Sequence, residues 1–368
     1  MLGTFLLGSL VAGAGAYLFI SRAALPLVPA PEQLSATARE EPPPLPAAME
    51  AVDQGDWRGA EEAFNRALAA DAGSIVAETG LARVLAFQYR FKEAIPHARR
   101  AVELAPRSAA AYAALAQALD WSGDIDGAAA AARRSVDLDP SSVDAHAFLA
   151  EVFVDRYQLA DARRELDRAL ALDPAAVEPL RVRAYLLETE GRYSDAAAAY
   201  LEAIDVAPRF AHLYFALGSV YRATNRWDEA LDSYRMAAAL APVDARPITG
   251  MGMVYLGEDD YATAVSYFEQ AIGLDPSYST PYGQMGNAYY TSGDYIHAEE
   301  PLAKAVELEQ NPVRLSSYKH VLGWTYLRKG SFDSAEAQFR GALDLNPSLD
   351  GARQGLAAVA TARQTGRP

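Results

Sequence analysis

The side chains best able to do chemistry are scattered. The five histidines, His97, His146, His212, His297 and His320, include no pair four residues apart that one helical face could turn into a metal site. There is no H-E-x-x-H, no G-x-x-x-x-G-K-[ST] phosphate loop and no G-x-S-x-G elbow. Gly250 and Gly252 make a lone G-x-G inside a helical pattern. Absence of cysteine removes disulfides, thiolate metal sites, thiol nucleophiles and cysteine-linked lipid anchors together. A formal net charge of −15 argues against nucleic acid, whose binding rests on phosphate neutralisation. No catalytic residue, metal site or cofactor is expected. The remaining chemistry is recognition, for which arginines and aromatics are the strongest residue types.

The elements that must position such residues repeat. Pro106, Pro140, Pro174, Pro208, Pro242 and Pro276 lie 34 residues apart. A fixed period of this size is the signature of a solenoid. Counting 31 residues back from each proline as position 1, position 8 is always alanine or glycine, from Ala82 to Gly323. Position 20 is alanine throughout, from Ala60 to Ala335. Small residues at two fixed phases let two helices approach closely. Large apolar residues at positions 4, 7 and 11 share one helical face. Gly123, Gly191, Asn225, Gly293 and Gly330 break each unit in the middle, supplying the left-handed conformation that ends a helix. A proline stop then closes the second helix, as in Leu138-Asp139-Pro140.

Each unit therefore reads as helix, turn, helix, stop. Tyr214-x-x-Leu217-Gly218-x-x-Tyr221, Ala230-x-x-x-Tyr234 and Pro242 resemble the tetratricopeptide repeat pattern. Lys319, Leu322-Gly323, Tyr326, Ala335-x-x-x-Phe339 and Pro347 resemble it nearly as well. The resemblance spans about residues 45–347 and implies an all-α, right-handed solenoid. Residues 47–74 read as a degenerate first repeat with a proline-broken first helix, and residues 75–347 as eight repeats. Residues 348–362 read as a capping helix and 363–368 as a frayed tail. Pro312 follows Pro276 by 36 residues, so a longer loop is expected at 309–313, and Pro301 should bend its helix.

Residues 2–20 carry no charge and as a helix would span about 28 Å, close to a bilayer core. With no basic side chain before it, residues 1–22 read as a single-pass transmembrane anchor into the lipid bilayer. The rival is a cleaved signal at Ala14-Gly15-Ala16, which Leu18-Phe19-Ile20 fits poorly. Gly8, Ala12 and Ala16 share one face and would permit close helix packing in the membrane. Residues 23–46, with seven prolines, read as an extended linker. Arg22 weakly favours a cytoplasmic repeat domain, whereas a proline-rich spacer after a short hydrophobic segment leans towards the extracytoplasmic side.

The resemblance further implies that the first helices line a groove through positions 2, 5, 9, 12 and 13. Those positions hold Asp120, Asp144, Glu151 and Asp155 early, then Arg181, Tyr185, His212, Phe215, Arg222 and Arg246, then Asn287, Tyr290, His320 and Trp324. Some members grip a terminal carboxylate with a Lys/Asn clamp. Here Asn287 has Gly283 where the lysine would stand, so no such clamp is expected. The implied function is a non-catalytic scaffold binding extended or helical segments of partner proteins at a membrane. It would be either an assembly or biogenesis factor or a permanent accessory subunit of a larger membrane complex. A small-ligand receptor or enzyme is the rival class.

Overall fold

A computed structural model describes residues 44–365. The anchor, its Gly8, Ala12 and Ala16 face, most of the linker and residues 366–368 lie outside the described residues. Among the described residues there are nineteen α-helices and no strand. Eighteen of them pair in order: α1 (Pro44–Asp53) with α2 (Trp57–Ala70), α3 (Ile75–Phe87) with α4 (Phe91–Leu104), and α5 (Ala109–Ser122) with α6 (Ile125–Leu138). Next come α7 (Val143–Asp155) with α8 (Leu159–Leu172), α9 (Val177–Thr189) with α10 (Tyr193–Val206), and α11 (Ala211–Ala223) with α12 (Trp227–Leu240). The last pairs are α13 (Ala245–Gly257) with α14 (Tyr261–Leu274), α15 (Ser279–Thr291) with α16 (Tyr295–Leu308), and α17 (Pro312–Arg328) with α18 (Phe332–Leu345). A single helix, α19 (Asp350–Thr365), covers the end. Among the described residues no helix is long and apolar enough to cross a membrane.

The small residues explain the stacking. Ala60, Ala94, Ala128, Ala162, Ala196, Ala230, Ala264, Ala298 and Ala335 are all 0% exposed. Four residues on, a bulky side chain wedges between repeats, except after Ala94 and Ala128, where Ala98 and Ala132 stand instead. The Tyr234 ring lies where a side chain on Gly218 of its own repeat, or on Gly250 of the next, would begin: a Cβ there would meet it at 2.8 and 2.7 Å. Phe339 sits likewise between Gly323 and Gly355, and Gly355 belongs to α19. The terminal helix thus accepts the wedge as a further repeat would, which is what caps a solenoid.

Every described turn between paired helices contains one residue with positive φ. The glycines and Asn225 were legible in the sequence, but Tyr89 (φ 60), Tyr157 (φ 59) and Asp259 (φ 61) also adopt it. Many helix starts carry a side-chain cap, for example Asp124 accepting from the Gly127 amide at 3.0 Å and Ser142 from Ala145 at 3.3 Å.

Three local expectations change. Helix α1 forms despite Pro44 and Pro46, because both fall in a first turn whose amides need no intrahelical acceptor. The two extra residues near Pro312 do not lengthen a loop. They extend α17 to 17 residues, with Asn311 capping the Val313 and Arg314 amides and Pro312 in the first turn. The helix reaches Thr365 rather than fraying after 362, and Arg363 pairs with Glu336 at 2.6 Å and with Asp333 at 2.5 Å. Helix α16 continues through Pro301, as α4 does through Pro96.

Candidate functional site

The first helices face one another across the inner side of the curve, and the early repeats close upon the fifth. Trp57 packs on Phe87 and Phe210 with ring centroids 4.6 and 4.8 Å apart. Phe87 stacks on His212 at 4.9 Å. The Arg246 guanidinium lies 3.0 Å from the centre of the Tyr89 ring. A Cβ on Gly55 would fall 2.7 Å from the Arg209 carbonyl, so the loop after α1 rests on the loop before α11. This aromatic clasp packs on α5 through Trp121, whose ring lies 5.5 Å from Phe87 and 5.9 Å from Tyr89.

Trp121 leads on to a buried ionic network. Arg181 donates to both oxygens of Glu151 at 2.7 and 2.6 Å and to Glu178 at 2.9 Å. The Trp121 indole also donates to Glu151, at 3.0 Å. Arg83 reaches Asp144 at 2.6 Å and Glu178 at 3.7 Å. Burial works against the charge on Arg181, but Glu151 and Glu178 outweigh it and hold the side chain firmly protonated.

Next to this network is a cavity of about 400 Å³ whose wall includes Asp120, Glu151, Asp155 and Glu188 against one guanidinium, Arg181. Tyr185 donates to Asp155, and Tyr200 donates to Glu188 at 3.2 Å. Asp120 is 4% exposed and neither of its oxygens meets a donor. Burial, then the charges of Glu151 and Asp155, push its carboxyl up to about 9. Burial also raises Asp155 and Glu188. His212, buried with both ring nitrogens unpartnered, is driven well below its ordinary value by burial, then by Arg181 and Arg246, and is neutral.

A second cavity, of about 420 Å³, shares Phe215 and Ser219 with the first and has the opposite character. Arg222, Arg246 and Arg314 line it together with Tyr234, Tyr278 and Tyr318, and no carboxylate does. Glu309 fixes Arg314 from outside at 2.8 Å while accepting from Ser279 and the Asn311 amide, and Asp244 holds Arg246 at 2.8 Å. Arg222 Nε and Arg246 Nη1 are buried donors without acceptors.

Models of the tetratricopeptide repeat match residues 45–80, 79–143 and 181–245, residues 122–184, and residues 245–278, 280–312 and 316–349. The chain belongs to the tetratricopeptide repeat family. No curated protein matches it. Among solved structures it resembles the APC/C hetero-tetramer Cut9–Hcn1 at 19% identity and a TM-score of 0.66, covering 82% of this chain and 59% of that one. The chain thus spans under two thirds of that relative's length. A tetratricopeptide repeat protein of Parabacteroides merdae aligns at 15% identity and a TM-score of 0.52, covering 69% of this chain and 99% of that one. A monomeric mutant of IFIT1 with Gppp-AAAA aligns at 15% identity and a TM-score of 0.62, covering 87% and 82%. At these identities the likeness is one of fold.

Against this tetratricopeptide frame, the structure brings together Arg181, Tyr185, His212 and Phe215 in the acidic cavity, and Phe215, Arg222 and Arg246 in the basic one. Asn287, Tyr290, His320 and Trp324 line neither. Tyr290 packs on Tyr295, while His320 and Trp324 pack on Phe339. Gly283 is needed by the next repeat, since a Cβ there would strike the Tyr318 ring at 2.3 Å. Reading by groove position missed Tyr89, which sits in a turn, and Arg314, which sits in the extra turn of α17. Glu188 falls at position 12 and was within reach of the pattern.

Proposed function

We propose that this chain is a non-catalytic tetratricopeptide scaffold, held at a membrane by residues 2–20, that binds a segment of a partner protein along its inner face. Tetratricopeptide repeats generally bind proteins, and the reading rests on one observation above all. Three guanidiniums converge on a cavity with no carboxylate in its wall, two of them keep buried N–H groups unused, and a carboxylate-rich cavity adjoins it. Buried donors without acceptors are costly, by about 1–3 kcal/mol each. A surface that keeps them is suited to an occupant that supplies the acceptors. Aromatic walls beside arginines are also the composition of strong interface anchors. The linker and anchor would raise the local concentration of this surface beside a membrane complex during its assembly. The Gly8, Ala12 and Ala16 face supports the second reading, a permanent accessory subunit whose span packs on another.

Tagged purification from gently solubilised membranes, with crosslinking and mass spectrometry, tests this. Crosslinks from a protein partner into the Arg222, Gln284 and Ser317 region are expected. A stoichiometric membrane partner crosslinked at 8–16 would select the accessory subunit. Chain recovered only in the soluble fraction, or partners crosslinked only to the outer helices, would sink the proposal.

A further inference from the structure

The acidic cavity sets a requirement that the chain itself does not meet. Four carboxylates line it against Arg181, which Glu151 and Glu178 already occupy through all three of its bonded nitrogens. Asp120 is buried, neither of its oxygens meets a donor, and the carboxylates of Glu151 and Asp155 stand in the same wall, Asp155 at its exposed side. A buried carboxylate beside an exposed one at the cavity wall gains greatly from a cation placed between them. The wall also has aromatic faces at Tyr89 and Trp121 that suit a cation, and Arg181 already lies 5.1 Å from the centre of the Trp121 ring. No lysine stands in the wall.

We propose that this cavity receives the lysine or arginine side chain of the partner segment, its head group between Asp120 and Asp155. The inference rests on the partner-binding reading above and adds the chemistry of the occupant. On entry the proton held by Asp120 leaves for solvent and the incoming cation takes its place, so charge in the cavity is conserved. The neighbouring arginine cavity would then take a carboxylate of the same segment, since the two share the Phe215 and Ser219 wall.

The test is a display selection of random peptides, about twelve residues long, on the wild-type chain and on an Asp120→Asn/Asp155→Asn variant. Asn keeps the shape of both groups and the acceptor for Tyr185, so the variant folds; circular dichroism checks this. Wild type should enrich peptides with a basic residue at one fixed position. Replacing it by norleucine should weaken binding by about tenfold or more on wild type and by no more than about twofold on the variant. Enriched peptides without a fixed basic position, or one that persists unchanged on the variant, would overturn the cation pocket while leaving the groove reading intact. No enrichment on either chain would overturn both. Spermidine that displaces the peptide more strongly than the peptide binds would assign the cavity to a free polyamine and overturn the partner side chain.

Discussion

Asp120 should make the protein less stable as pH rises. Its carboxyl is buried, meets no donor and is pushed up to about 9, first by burial and then by Glu151 and Asp155. In the unfolded chain an aspartate titrates near 3.9 or so. Between those values the folded chain binds one more proton than the unfolded chain. The stability due to this group is therefore complete below about pH 4 and is lost at about 1.4 kcal/mol per pH unit up to about pH 9. At neutral pH the loss is on the order of 4 kcal/mol. Asp155 and Glu188, both raised, act in the same direction. His212 acts against it: its pKa is depressed, so the unfolded chain takes up a proton below about 6.5 and stability falls as pH drops from there. Wild type should thus lose stability most steeply above about pH 6.5, where His212 no longer offsets the loss. Asp120→Asn copies the shape and donor of the protonated acid. It should gain on the order of 4 kcal/mol near pH 7 and almost nothing near pH 4. Urea titrations at several pH values, with hydrogen exchange of α5 amides as the local readout, measure this. An Asp120→Asn variant no more stable than wild type near pH 7, or equally stabilised near pH 4, refutes the argument.

The other expectations concern the scaffold. Phe87→Ala removes the ring on which Trp57 and His212 stack, and should cost about 3–5 kcal/mol and increase the radius of gyration by small-angle scattering as the clasp opens. Gly323→Val places a side chain inside the Phe339 ring, where even a Cβ would approach within 2.7 Å, and should lower stability by about 1–3 kcal/mol or more in thermal melts. Tyr157 is 74% exposed and left-handed, so Tyr157→Gly should stabilise by about 1 kcal/mol. Tyr89→Gly relieves the same strain but removes the ring under Arg246 and beside Trp121, and should destabilise.

The repeat architecture was legible because each physical requirement recurs at one phase. A helix pair must touch through Ala60 or Ala230, a wedge must find Gly218 or Gly323, and a turn must find Gly123 or Asn225. Where a repeat departs from its own rule, reading fails. Tyr89, Tyr157 and Asp259 occupy the left-handed turn without the residue type that announces it. The insertion near Pro312 looked like loop because prolines usually end helices, yet Pro312 falls at the first helical turn, where its missing amide is no loss. Groove positions could be assigned by phase, but phase tells which way a side chain faces and not what stands opposite. His320 and Trp324 face inward and find Phe339; Arg222 faces inward and lines a cavity. The clasp between Phe87 and His212 was beyond reach for the same reason. It depends on the small rotation accumulated over four repeats, which no single repeat encodes.

The two cavities are coupled through one contact. Tyr89 lines the acidic cavity and carries the guanidinium of Arg246, which lines the basic one. Arg246 is therefore divided between Asp244, the Tyr89 ring and an empty acceptor position at Nη1. An anion bound at Nη1 would draw the guanidinium towards the basic cavity and loosen its hold on Tyr89, which frees the ring to close over a cation beside Trp121. A cation in the acidic cavity would raise the potential felt by Arg246 and strengthen its need for an anion. Both effects favour joint occupation, and linkage makes them reciprocal. A segment bearing both charges should then bind more tightly than the two single-charge segments imply together, and Tyr89→Gly should abolish that excess while weakening the cation-bearing segment alone and leaving the anion-bearing one nearly unchanged.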